Sequence, residues 1–229
     1  MKVVVYTVIL NGYDTLRNHV DLPYDFIAYV DDKSIVPVNT NWQIRDIPKE
    51  IAELSMFDQL HYLKHMPHKL FPEYDISIYE DGKVSINKNI QYLLDLDYED
   101  NKFLSNKHPE RQCIYDEINI LRCYKWEKKS ICDELEQKYK QEGFPEGYGL
   151  IDCCMIIRRH NDPYVIEIME EAVALLKKYG IARPELVITY VLWKQNKTVS
   201  TIPYDVHGSY TSNYFTQYPH FKHHYSFTK

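Results

Sequence analysis

At 229 residues, with 45% hydrophobic and 26% charged side chains, the chain is long enough for one α/β domain with an appendage and apolar enough to bury a core. Its 27 Lys and Arg against 33 Asp and Glu leave a formal charge of −6, which argues against a general nucleic-acid binder with a basic face. The longest apolar run, Val3 to Leu10, falls far short of the ~18 residues of a membrane span and has no signal-peptide cleavage site after it, and five Cys without a CxxC suggest neither a disulfide framework nor a zinc ribbon.

The first predicted element is the β-branched run VVVYTVIL, which stops at the turn pair Asn11-Gly12. Its apolar residues are continuous, so it reads as a strand buried on both faces, as in a parallel sheet covered by helices. Asp25 to Val30 is a second strand ending in Asp31-Asp32, and Trp42 to Ile47 alternates as a third. From Pro48, Ile51, Leu54, Phe57, Leu60 and Leu63 recur at helical spacing, with Pro67 marking the end. Tyr74 to Tyr79 returns to strand character and runs directly into Glu80-Asp81-Gly82. One long polar helix is predicted from about Pro109 to Glu142, closed by Gly143, and then a buried strand from Leu150 to Ile157.

Asp162-Pro163 opens a further helix with an N-cap and a first-turn proline, and Gly180 closes it. A short helix at Glu185 to Trp193 and a strand at Thr198 to Ile202 follow. Strands alternating with helices predict a single α/β domain over residues 1–202 with a mostly parallel mixed sheet. The Tyr- and His-rich tail, 203–229, either wraps this domain or leads to a further one.

Several residues are candidates for chemistry. Ligands of open α/β sheets sit beyond the carboxyl ends of strands, where Glu80-Asp81 is placed to bind Mg²⁺ or Mn²⁺; the same residues also read as a plain Asp-Gly turn. Asp31-Asp32 offers acceptors for a base edge or ribose, or caps a helix in a solvated loop. Asn11-Gly12-Tyr13 offers a close backbone approach and an aromatic face, or a turn with a surface Tyr. Asp152 lies within a buried strand, where a carboxylate is functional or paired with Arg158 or Arg159. Cys153 and Cys154 read as small core residues. His207 follows Asp205 and is a candidate metal ligand, whereas His220, His223 and His224 read as tail. No P-loop, GxGxxG or HExxH motif is present.

Taken in order, VVVYTVILNGYDTL, HYLKHMPHKLFPEYDISIYEDGKVSI, HPERQCIYDE, EGFPEGYGLIDCCMIIRRHNDP and RPELVITYVLWK resemble a small glycosyltransferase-like family with a GT-A type fold, known from bacterial and plant polysaccharide-synthesis proteins. The compact form is similar to a domain encoded by large DNA viruses of chlorella-like algae. The resemblance spans about Lys2 to Lys194 and implies a GT-A-like, Rossmann-like domain that uses a UDP-sugar donor and a glycan acceptor.

The donor-binding set it implies is Thr7, Asn11, Gly12, Tyr13, Asp31, Asp32, Lys64, Lys69, Tyr79, Glu80, His108 and Arg111, with His68 beside Lys69 near the diphosphate. Glu80-Asp81-Gly82 stands where the family has a metal-binding DxD, but Lys83 occupies the second acid's place. Either Lys83 partly replaces the metal, or Asp81 binds Mn²⁺ or Mg²⁺ with His207. Asp152 is the leading catalytic or acceptor-orienting carboxylate. In RPEL, compared with the family's RDQL, the acid has moved to Glu185 or its contact is lost.

The expected activity is transfer of a hexose or deoxyhexose, UDP-glucose or UDP-rhamnose first among donors, with metal assistance and retention of configuration. The expected setting is the cytoplasm, a host's if the chain is viral. The alternatives are a nucleotide-sugar or glycan-binding module without turnover, for which the 21 Tyr would suit sugar stacking, and a nucleotidyltransferase.

Overall fold

The computed structural model describes residues 1–95, 102–197, 201–202 and 214–221. The chain opens with β1 (Val3–Ile9), β2 (Asp25–Val30) and β3 (Gln43–Arg45), each parallel to the one before. Helices α1 (Lys49–Ala52), α2 (Met56–His65) and α3 (Pro67–Leu70) lead back to β4 (Ile76–Glu80), parallel to β1 on its other side. The small strand β5 (Val84–Ile86), α4 (Gln91–Asp95) and β6 (Phe103–Lys107) follow, then α5 (Ile114–Tyr124) and α6 (Lys129–Glu142). Strand β7 (Ile151–Arg158) inserts antiparallel between β4 and β6. Helices α7 (Pro163–Tyr179) and α8 (Pro184–Lys194) and strand β8 (Phe215–Gln217) complete the described elements. The main sheet therefore runs β3-β2-β1-β4-β7-β6, and β5 pairs with β8 in a second, two-stranded sheet.

The unbroken apolar run of β1 has its explanation here. Val4, Tyr6 and Val8 join the core beneath α2 and α5 to α8, while Val3, Val5 and Ile9 join a second core with Leu16, Ile86, Leu93 and Phe215. A central strand clothed on both faces has no solvent side to mark with polar residues. Helix α7 forms as its termini dictate: Asp162 accepts a bond from the Tyr164 amide at 3.0 Å, and Gly180 closes the helix at φ 63°.

The single helix expected over 109–142 is in fact two. Lys125 takes a left-handed conformation (φ 57°), and the Trp126 amide bonds back to Leu121 O at 2.9 Å, closing α5. No Gly or Pro lies between Pro109 and Gly143 to signal the break. The gain comes from packing: Arg122 at the end of α5 pairs with Asp133 and Glu136 of α6. The proline at 67 ends one helix, as expected, and also starts the next from its first position. Strands β5, β6 and β8 and helix α4 have no counterpart in the sequence reading. They are three to five residues long, too short for a period to emerge. Of the strand expected at 198–202, Thr201 makes a parallel bridge to Ser105, and 198–200 lie outside the described residues. No described helix is long and apolar enough to cross a membrane.

Candidate active site

A cavity of about 550 Å³ opens where β1 and β4, strands whose connections leave in opposite directions, end side by side. The carboxyl ends of both strands, the start of antiparallel β7, the inner side of α2 and the first turn of α8 line it.

Its floor is charged. Asp81, the residue after β4, is aligned by its amide's bond to Cys154 O at 2.8 Å. Its Oδ1 accepts from Lys64 Nζ at 3.0 Å and from Tyr79 Oη at 2.8 Å. Lys83, two residues on, lines the same cavity. Burial alone would raise the Asp81 pKa, but Lys64, Lys83, His220 and the Tyr79 hydroxyl together hold it below the ordinary value. Burial likewise opposes the Lys64 ammonium and is outweighed by Asp81 and the nearby cysteines, so its pKa is raised.

Gly82 makes the turn between them possible. A Cβ there would stand 2.6 Å from Ile9 Cδ1 and 3.0 Å from Asp14 Cβ, so the acidic turn presses directly on the end of β1.

Lys64 is firmly based. It belongs to the last turn of α2, where carbonyls lack helical partners. Its carbonyl accepts from the Tyr6 hydroxyl at 2.6 Å and from Arg158 Nη2 at 3.0 Å, and Arg158 also bonds the Tyr6 hydroxyl. A guanidinium 1% exposed is tolerated there because it meets the negative end of a helix dipole.

Two further carboxylates on the wall are Asp152 and Glu185. Asp152, near the start of β7, accepts from the Cys154 amide at 3.0 Å. Glu185, in the first turn of α8, is almost fully buried; burial pushes its pKa up to about 7, with Glu117 and Asp152 adding to the rise and Arg183 opposing it. Tyr13 lines the cavity from the turn after β1, with His220 against its ring at 4.6 Å. His220 Nδ1 lies 3.0 Å from both oxygens of Asp14.

Of the residues expected from the sequence, Tyr13, Lys64, Tyr79, Asp81, Asp152 and Glu185 meet at this cavity. Asn11 and Gly12 form the turn just outside, both with positive φ, and the Asn11 amide bonds Asp31 Oδ2 at 2.7 Å. Asp32 caps a 3₁₀ turn by accepting from the Ser34 amide at 2.9 Å.

The others stand elsewhere. His108 and Arg111 converge on Glu117 rather than on the cavity wall. Thr7 is buried in β1, and its hydroxyl has no partner among the described residues. Glu80 is buried against His19 at 2.7 Å. Lys69 and His68 bond Glu170 of α7 at 3.1 and 3.3 Å. His207 lies outside the described residues.

Sequence reasoning missed Glu127, whose Oε2 accepts the Ala182 amide at 2.9 Å and fixes the approach to α8. It also missed the pairing of His220 with Asp14. Glu127 falls where one continuous helix was expected, and Asp14 and His220 lie 206 positions apart, so no local pattern marked them.

The residues at Asp81 do not fit a divalent cation. Among the described residues no three His, Cys, Asp or Glu side chains are grouped to hold one. Asp81 Oδ1 is taken by an ammonium and a phenol, and a second ammonium shares the cavity. An ion bound at that oxygen would stand against the Lys64 ammonium, which repels it.

A mixed, mostly parallel six-stranded sheet flanked by helices is a GT-A-like fold. Three solved structures agree in fold. The chain is 15% identical to the WbbM bifunctional glycosyltransferase (TM-score 0.55), matching over 93% of its own length but 41% of that chain. It is 10% identical to mouse xyloside xylosyltransferase 1 (TM-score 0.56; 90% of this chain, 86% of that one). It is 12% identical to the galactosyltransferase LgtC, solved with donor and acceptor sugar analogs (TM-score 0.52; 88% and 74%). No curated protein matches the sequence. The family model of the TOD1/MUCI70 glycosyltransferase-like domain matches residues 1–165, and the chain belongs to that family.

Proposed function

We propose that the protein transfers a hexose or deoxyhexose from a UDP-sugar to a glycan acceptor. The observation that carries this reading is one cavity, at the carboxyl ends of β1 and β4, that joins Lys64, Asp81 and Lys83 to Asp152 and Glu185. The ammonium groups suit a diphosphate, the carboxylates suit sugar hydroxyls, and Tyr13 offers a ring face for a nucleobase. Proteins of the same fold named for xylosyl and galactosyl transfer support the reaction class.

In this reading the acceptor oxygen bonds to C1 of the sugar as the bond from C1 to the diphosphate oxygen breaks. The electron pair stays with the leaving phosphate, whose charge Lys64 and Lys83 stabilise. Transfer retains configuration: the acceptor approaches on the departing face and its proton passes to the phosphate oxygen. Asp152 and Glu185 orient the sugar and acceptor hydroxyls. UDP-glucose is the first donor to try and UDP-rhamnose the next.

The test is UDP release and product formation across a panel of UDP-sugars and glycan acceptors, with the product anomer assigned by NMR. Asp152→Asn is expected to lower turnover at least ~100-fold while UDP still binds. UDP binding with no transfer to any acceptor would favour a binding module instead.

A further inference from the structure

Within that reading, which this inference presupposes, we propose that Lys64 and Lys83 hold the diphosphate, so that the donor binds without a divalent cation. Lys64 of α2 pairs with Asp81 at 3.0 Å, and Lys83 follows two residues later in the turn after β4, so the acid that a divalent cation would need is already matched by an ammonium. Both cations stand on fixed supports. Lys64 is anchored through its carbonyl by Tyr6 and Arg158, and its ammonium stands 4.4 Å over the Tyr79 ring. Lys83 is pinned through its own carbonyl, which accepts the Tyr218 amide at 2.8 Å, while the guanidinium of Arg17 stacks on the Tyr218 ring at 3.8 Å. The segment that carries β8 thus braces one of the two phosphate-binding lysines.

Asp81 then has a positioning role. It fixes the Lys64 ammonium in the cavity that Lys83 also lines, and an incoming diphosphate shares that ammonium's remaining donors. Preorganised cations of this kind stabilise the charge that grows on a leaving phosphate without rearranging during the reaction.

Calorimetric titration of the full chain with UDP, in excess EDTA and then in excess Mn²⁺, tests the proposal. The expected result is the same affinity in both. Lys83→Gln should weaken UDP at least ~10-fold in EDTA and leave uridine binding unchanged, with circular dichroism confirming the fold; inorganic pyrophosphate should compete with UDP for the unmodified protein. Lys64→Gln should weaken UDP similarly, and if that variant unfolds the Lys83 result still decides. Binding that appears only with Mn²⁺, or that Lys83→Gln leaves intact, overturns the proposal while sparing the transferase reading. Absence of UDP binding under both conditions overturns both.

Discussion

Glu80 and Asp81 are neighbours in sequence and belong to different regions of the molecule. Glu80 ends β4 on the face toward β5 and β8, where its carboxylate meets His19 Nε2 at 2.7 Å, both side chains almost fully buried. The Ile86 amide donates to His19 Nδ1 at 2.8 Å, which leaves Nε2 to face the carboxylate. Burial raises the Glu80 pKa. Asp81 opens on the cavity face against the Lys64 ammonium, with Lys83 lining the same cavity, and its pKa is lowered. The same chemical group one residue further on is turned from a closed structural contact into part of a site. What separates them is the alternation of side chains along a strand, and the charge each face supplies.

The sharpest way to break this comparison is to neutralise each acid without changing its shape. Asp81→Asn removes the counter-charge of a lysine 7% exposed. Severing a fully buried pair costs about 3–5 kcal/mol; Asp81 keeps 24% of its side-chain surface in solvent, so about 2–4 kcal/mol is expected from urea unfolding at pH 7. The loss should shrink as pH falls, because an acid with a lowered pKa contributes above its unfolded value and ceases to do so once protonated in the folded state. Glu80→Gln, by contrast, keeps an acceptor for His19 Nε2 and removes a charge that burial already disfavours. It should change stability by less than about 1.5 kcal/mol. Equal losses in the two variants would erase the distinction.

Glu185 extends the comparison to pH. Its pKa rises from the ordinary 4.5 to about 7, so between these values the folded state holds a proton that the unfolded chain releases. Stability therefore falls as pH rises through this window, by up to about 3 kcal/mol at pH 8. Glu185→Gln should remove that slope and leave the variant more stable than the parent at pH 8. Unfolding curves at pH 5 and pH 8 for both proteins measure it, and parallel behaviour of the two would place the ionisable burden elsewhere.

The parts of this fold legible in the sequence are those with long runs or explicit termini. Strands β1, β2, β4 and β7 declare themselves by apolar continuity, and α7 by Asp162-Pro163 and Gly180. Continuity, however, erases the information about faces. In a strand buried on both sides nothing in the residue pattern says whether Thr7, Tyr79 or Glu80 points to the cavity, and of these only Tyr79 lines it. The break between α5 and α6, the bracing of Lys83 by Tyr218 and the meeting of His220 with Asp14 arise from packing between distant segments. The resemblance named Lys64, Asp81, Asp152 and Glu185 of the cavity but not their pairing, and it missed Asp14, Glu127, Lys128, Arg183 and His220. That Lys64 and Asp81 occupy each other is a fact of three dimensions, and it is what turns the reading away from a metal at Asp81.

The smallest expected effect tests the other end of the same helical run. Lys64 and Lys69 are five residues apart and equally basic, yet α2 ends at His65, and Pro67 restarts the chain as α3. The restart carries Lys69 to the neighbourhood of α7, where it pairs with Glu170 at 3.1 Å while half its side chain remains in solvent. An exposed pair of this kind is worth about 0–1 kcal/mol, and added salt screens what there is. Lys69→Ala should therefore leave stability within that range and UDP affinity unchanged, whereas Lys64→Gln weakens UDP. A Lys69 variant that lost donor affinity would show that the diphosphate reaches past the end of α2, and the site would then have to be drawn along α3 as well as along β4.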